Sequence, residues 1–219
     1  MKKALLLLSL LTLATAARPA RAGDDAGLQL GLRAAYALPL GDAGDGAELR
    51  DLTPGAVPVQ LEAGWRFDRH WLAGAYFAWG PSLVGDVAKD ALAEAGASDV
   101  SGHFEQRVGL QGIYTFSPLS KLAPWVGLGL GYEWTRYADA KLPSGDETEV
   151  GLRGFEALLQ VGGDYRVTSR LTVGPYATFS VGQYGSHVAT VEGDSSTTDV
   201  EDRGIHEWVQ LGFKGSFDL

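Results

Sequence analysis

The chain has 219 residues, 45% apolar and 21% charged, with 30 Gly, one Met and no Cys; this is too apolar for a disordered chain, and glycine, at about twice its usual 7% share, follows no Gly-X-Y period, which excludes collagen. The lack of Cys excludes a disulfide scaffold, a Cys-ligated zinc or iron–sulfur site and a lipid-modified N-terminal Cys. Removing Lys2, Lys3, Arg18 and Arg21 with the leader described next takes the net charge from −9 to −13, and an exported acidic chain does not suit nucleic acid.

Residues 1–22 read as a secretory signal peptide. Lys2 and Lys3 form the positive start, Ala4 to Leu13 the apolar run, and Ala20-Arg21-Ala22 fits the small-x-small cleavage rule, with Gly23 as the first mature residue and Ala14-Thr15-Ala16 as a second site that fits it. The run is too short to cross a bilayer as a helix, which takes about 20 apolar residues. Residues 23–219 then form a single domain.

From Leu28 onward the period is two, the period of a strand with unlike faces. Eight such runs follow in order. The first places Leu28, Leu30, Leu32, Ala34, Tyr36 and Leu38 opposite Gln29, Gly31, Arg33 and Ala35. The second places Val57, Val59, Leu61, Ala63, Trp65 and Phe67 opposite Gln60, Glu62, Gly64 and Arg66. In the third, Trp71, Ala73, Ala75, Phe77 and Trp79 share a face, while Leu72 and Tyr76 leave the other face without clear polarity. The fourth sets Phe104, Val108, Leu110, Tyr114 and Phe116 against Glu105, Arg107, Gln111 and Thr115. The fifth sets Val126, Leu128, Leu130, Tyr132 and Trp134 against Gly127, Gly129, Gly131 and Glu133. The sixth sets Phe155, Ala157, Leu159, Val161 and Tyr165 against Glu156, Gln160, Gly162, Asp164 and Arg166. The seventh sets Leu171, Val173, Ala177, Phe179 and Val181 against Thr172, Gly174, Thr178 and Ser180. The last sets Ile205, Val209, Leu211, Phe213, Phe217 and Leu219 against His206, Gln210, Gly212 and Lys214.

Short connections (68–70, 117–123, 167–170) alternate with long polar ones (39–56, 80–103, 138–150, 182–204). Short turns on one rim and long loops on the other mark an up-and-down barrel of the outer-membrane kind, with its termini on the periplasmic side. The long connections carry −3, −3, −3 and −4, which is the whole mature charge. Ala88 to Ala95, in the second of them, is rich in helix formers and predicts a short surface helix.

Periodicity does not say which face meets oil; the aromatics do. Trp65, Phe67, Trp71, Tyr114, Phe116, Tyr165, Phe213 and Phe217 lie toward the short turns. Tyr36, Phe77, Trp79, Phe104, Tyr132, Trp134, Phe155 and Phe179 lie toward the long loops. Two aromatic girdles around an aliphatic band match the two membrane interfaces and turn the apolar face outward. The polar set then faces the lumen, where Arg33, Arg66, Arg107, Arg166 and Lys214 meet Glu62, Glu105, Glu133, Glu156 and Asp164 as a charge-cancelling network.

With Gly-Trp-Arg-Phe-Asp at 64–68, Gly-Leu-Gly-Leu-Gly-Tyr at 127–132 and an alternating last strand ending in Phe217 and Leu219, the mature chain resembles the small eight-stranded outer-membrane β-barrels of Gram-negative bacteria, the type of OmpA's membrane domain, OmpX and OmpW. The resemblance implies an all-β, eight-stranded antiparallel transmembrane barrel in the outer membrane. It implies as partners the membrane lipid, lipopolysaccharide and the barrel assembly machinery, and it implies no single activity.

The interior of eight strands is filled by side chains, so the expectation is a plugged monomer with a structural or surface-interaction role carried by acidic outer loops whose partner is not specified. A narrow OmpW-like channel for small or apolar solutes is the alternative, and a soluble lipocalin-like binding barrel the third reading. Ser186-His187 and His103 have no spacing that makes a nucleophile and its base, so no enzyme is expected. The acidic stretches 41–46 and 194–202 lack the D-x-D-x-D-G spacing of a calcium loop, and Gly127 to Gly131 lies inside a strand with no helix after it. No metal or cofactor is assigned.

Overall fold

The structure is a computed structural model and describes residues 26–44, 46–94, 96–102, 104–141, 143–144, 146–191 and 194–219. The leader read at 1–22 and His103 lie outside the described residues.

Eight strands close a ring: β1 (Gly27–Gly44), β3 (Val59–Arg66), β4 (Trp71–Pro81), β6 (Phe104–Thr115), β7 (Leu122–Lys141), β8 (Glu147–Arg166), β9 (Leu171–Val191) and β11 (His206–Asp218). Each pairs antiparallel with the next in sequence. The ring closes between β1 and β11, from Gln29 opposite Asp218 to Gly41 opposite His206. Three smaller strands, β2 (Ala47–Glu48), β5 (Ser98–Ser101) and β10 (Asp194–Asp199), and two helices, α1 (Leu49–Leu52) and α2 (Asp86–Glu94), belong to the long connections.

Strand length separates two parts. A strand tilted by about 45° crosses a bilayer in roughly 9–11 residues. β4 has 11 residues, whereas β7 and β8 have 20 each and β9 has 21. The surplus runs past the outer girdle, so within the connections at 138–150 and 182–204 residues 138–141, 147–150, 182–191 and 194–199 are strand. Lys141 faces Glu147 across one hairpin, and Val191 faces Asp194 across the other. Past the girdle the inner side of this sheet packs against other connections, as Ala138 does, so no single solvent boundary imposes a period and periodicity alone reads such segments as loops. The helix expected at 88–95 is α2, which begins at Asp86, with an acidic residue in its first turn.

The outward face is apolar over its whole middle. Leu110, Leu128, Leu130 and Phe155 are between 66% and 75% exposed, and Leu61, Phe77, Leu159, Phe179 and Leu211 are exposed with them. A continuous apolar surface of this extent belongs in lipid. The core of the molecule is the opposite face, inside the ring.

Candidate functional site

The lumen is filled in tiers. Nearest the short turns, Lys214 Nζ lies 3.3 Å from Asp164 Oδ2, and Trp125 Nε1 donates to Asp164 Oδ1 at 2.8 Å. The ammonium also lies 4.6 Å from the centroid of the Trp125 ring. Next comes Arg33, whose Nε is 2.6 Å from Glu62 Oε1 and whose Nη1 donates to Gln160 Oε1. Gln160 Nε2 donates on to Gln111 Oε1 at 2.9 Å. The Arg33 guanidinium lies over the Tyr176 ring at 4.8 Å. Ala35, Leu72, Ile113, Trp125 and Tyr176 form an apolar cluster around these groups.

The third tier centres on Arg107. Its Nη1 is 2.9 Å from Glu156 Oε2, and its Nη2 is 3.2 Å from Glu105 Oε2 and 3.7 Å from Glu133 Oε1. Glu133 Oε1 also accepts from Tyr184 Oη at 2.6 Å, Thr135 Oγ1 at 2.7 Å and Trp208 Nε1 at 3.1 Å. Tyr76 Oη donates to Glu156 Oε1 at 3.1 Å. His206 stacks on Tyr184 with 3.8 Å between centroids and faces Glu133 Oε2 at 3.5 Å. Charges at this depth persist only where partners replace water. Glycines make the room: a Cβ on Gly131 would lie 2.2 Å from Tyr76 Oη, and one on Gly182 would lie 2.7 Å from His206 Nε2.

Above the third tier the outer connections fold inward. Ala37, Ala43, Leu49, Ala56, Leu152, Tyr184, Val200 and Trp208 pack as one buried apolar cluster. Val84, Ala88 and Ala138 form a second, with Leu52 and Tyr137 packed against both. Burial among them raises the Tyr137 hydroxyl above its ordinary pKa. The mouth is therefore capped by apolar side chains from all four long connections and from the extended part of β8.

The structure places Arg33, Glu62, Glu105, Arg107, Glu133, Glu156, Asp164 and Lys214 inside the ring. The other two members of the network lie at its short-turn end. Arg66 sits half-buried at the short-turn mouth, 3.4 Å from Asp218 Oδ1. Arg166 is exposed there and donates to the Pro118 carbonyl. Both residues end their strands, where water reaches them. Among the described residues, Arg33, Arg107 and Lys214 face five carboxylates deep in the lumen, and His206 lies beside Glu133. Fourteen of the sixteen girdle aromatics stand on the outward parity of their strands, and Phe67 and Phe116 lie one residue past the ends of β3 and β6. Several touch, Trp71 with Tyr114 at 4.8 Å and Tyr132 with Phe155 at 4.9 Å between centroids.

Tyr176, Tyr184, His206 and Trp208 escaped the sequence-level network. Their signal was parity: each falls on the polar set of its strand, where a large ring must point inward. Ser186 and His187 are neighbours on β9, so their side chains leave opposite faces.

A search of protein-family models finds no match, and a search of curated proteins finds none either. Among solved structures, neisserial surface protein A superposes with a TM-score of 0.53 at 14% identity, covering 90% of this chain and all of the other. A major outer membrane protein from Thermus thermophilus gives 0.53 at 12% identity, covering 88% of this chain and 99% of its own. The chain has the fold of the small eight-stranded outer-membrane β-barrels.

Proposed function

We propose that the protein is an integral outer-membrane barrel that does not conduct, and that it serves by holding an acidic, folded outer surface above the membrane. The observation that carries this reading is the double closure of the lumen. The Arg107 tier fills the bore with hydrogen-bonded side chains, and the cap of Leu49, Leu152, Val200 and Trp208 covers it. Lipid and lipopolysaccharide surround the belt, the barrel assembly machinery inserts the chain, and the protein acts as a monomer. The projecting sheet and α2 supply the contact surface, and the reading assigns no catalytic step.

The test is a planar-bilayer recording on refolded protein. Folding is checked first by the shift between unheated and boiled samples on a cold gel. The expected result is silence from the heat-modifiable species. Sustained small currents would overturn the plugged reading and turn attention to a narrow channel.

A further inference from the structure

The long connections make the outer rim acidic, whereas the short-turn mouth gathers arginines. Arg66 comes from the end of β3, Arg69 from the β3–β4 turn and Arg166 from the end of β8. Together they line a cavity of about 310 Å³. Arg66 and Arg166 stand on the inward parity of their strands, so the cavity belongs to the lumen side and not to the lipid face. Asp164 forms part of its wall and is held by Lys214 at 3.3 Å and by Trp125 at 2.8 Å. That first tier of the lumen closes the inner end, and the cavity is a blind pocket.

Its polar groups are only partly used within the protein. Arg166 donates to the Pro118 carbonyl and, among the described residues, has no carboxylate within ion-pair distance. Asp218 is met by Gln29 Nε2 at 2.7 Å and by Arg66 Nη2 at 3.4 Å, both on Oδ1, so among the described residues Oδ2 is left for a further donor. Ser216, on the inward side between Lys214 and Asp218, is buried, and its hydroxyl has no partner among the described residues. Ser216 pairs with Thr172, which lines the cavity together with Ser169. Ala123 and Leu119 add an apolar stretch of wall. The pocket thus sets cations, an acceptor, hydroxyls and apolar surface around a space at the small end of the roughly 300–1,000 Å³ range of ligand sites.

We infer that this pocket binds a short zwitterionic peptide, taken up from the short-turn side. A guanidinium matches a carboxylate in a bidentate fork, which fits Arg166 and Arg69 to the peptide's free carboxylate. Asp218 Oδ2 accepts from its ammonium. The hydroxyls of Ser169 and Thr172 both donate and accept, as the peptide group requires, and Ala123 and Leu119 meet its small apolar side chains. Asp164 and Asp218 on the same wall disfavour a bare polyvalent anion such as phosphate, because like charge close by is repelled in a partly dry site. The blind inner end makes this a place of binding and not of passage, which goes beyond the non-conducting reading of the barrel.

The test is equilibrium dialysis of the refolded, heat-modifiable protein in detergent. Both ends of the barrel then meet water, so the result does not depend on whether the bore conducts. The probes are the radiolabelled dipeptide Ala-Ala, its C-terminal amide, its N-acetyl form and inorganic phosphate. Ala-Ala is expected to bind about tenfold more tightly than either blocked form, and Arg166→Gln to lose about tenfold. Asp218→Asn should abolish the preference for the free amine and keep the preference for the free carboxylate, a split that loss of structure alone would not give. No saturable binding of Ala-Ala up to about 10 mM, equal binding of the free and amidated dipeptides, or unchanged binding by Arg166→Gln combined with Arg69→Gln would overturn the inference. Phosphate bound as tightly as Ala-Ala would overturn it too, by assigning the pocket to a plain anion. If an arginine variant fails to fold on the cold gel, Thr172→Val with Ser169→Ala probes the same pocket. An about threefold loss is expected there, and binding equal to wild type would count against the site as well.

Discussion

Arg107 is the residue on which the lumen depends. One guanidinium serves Glu105, Glu133 and Glu156. Arg107→Met leaves three buried carboxylates without their cation, and the expected loss is about 3–5 kcal/mol in urea unfolding from detergent. The three glutamates differ in what their loss would strand. Glu133→Ala orphans Tyr184, Thr135 and Trp208 as donors and should cost about 2–4 kcal/mol. Glu105 is held by Arg107 through Oε2, and among the described residues its buried Oε1 accepts no hydrogen bond. Glu105→Gln therefore costs least, under about 1 kcal/mol, since it also relieves repulsion between carboxylates. A ranking with Glu105 above Glu133 in the same urea series would contradict this account of the tier.

At the scale of elements, close approach and turn chemistry decide. Gly131 on β7 leaves the space into which Tyr76 of β4 reaches over Gly109 of β6, and Gly131→Ala should displace the Tyr76 hydroxyl from Glu156 and cost roughly 1–3 kcal/mol. Tyr76→Phe in the same background should recover part of that loss, because the clashing oxygen is gone. The β3–β4 turn is held by Asp68, which accepts from the backbone N–H of Trp71 at 2.8 Å and of His70 at 2.7 Å. These bonds hold its carboxyl below the usual carboxylate range. Because the folded pKa is depressed, the contribution is complete above about pH 4, the unfolded value, and is lost as pH falls through the lower folded one. The gap in urea midpoint between wild type and Asp68→Ala should therefore be constant at neutral pH and close on acidification.

For the whole molecule, two closures in series make a testable arrangement. Replacing residues 46–54 with a short Gly-Ser turn removes Leu49 and Leu52 from the cap but leaves the Arg107 tier in place, so the barrel should stay silent in a planar bilayer. Combining that replacement with Glu133→Ala should produce small currents, provided the protein still shows the heat-modifiable shift. Currents from the cap replacement alone would mean that the polar tiers do not seal the bore. The ring is tall at β7, β8 and β9, and the outward cations one step beyond the aromatics, Arg136 and Arg153, stand on that tall side.

The eight strands, their alternation and the outward apolar face were all legible in the chain, because lipid on one side and a packed lumen on the other impose a period of two that no local effect overrides. The lumen residues were legible by parity, Arg33, Glu62, Arg107 and Glu133 among them. Tertiary structure decided the rest. It moved Arg66 and Arg166 to the mouth, since parity says which way a side chain points but not how deep it lies. It brought Tyr184, His206 and Trp208 onto Glu133 from strands far apart in sequence. It also folded the long connections into a cap and a projecting sheet. Their contacts are between distant segments in water, where no uniform solvent leaves a repeating mark on the sequence.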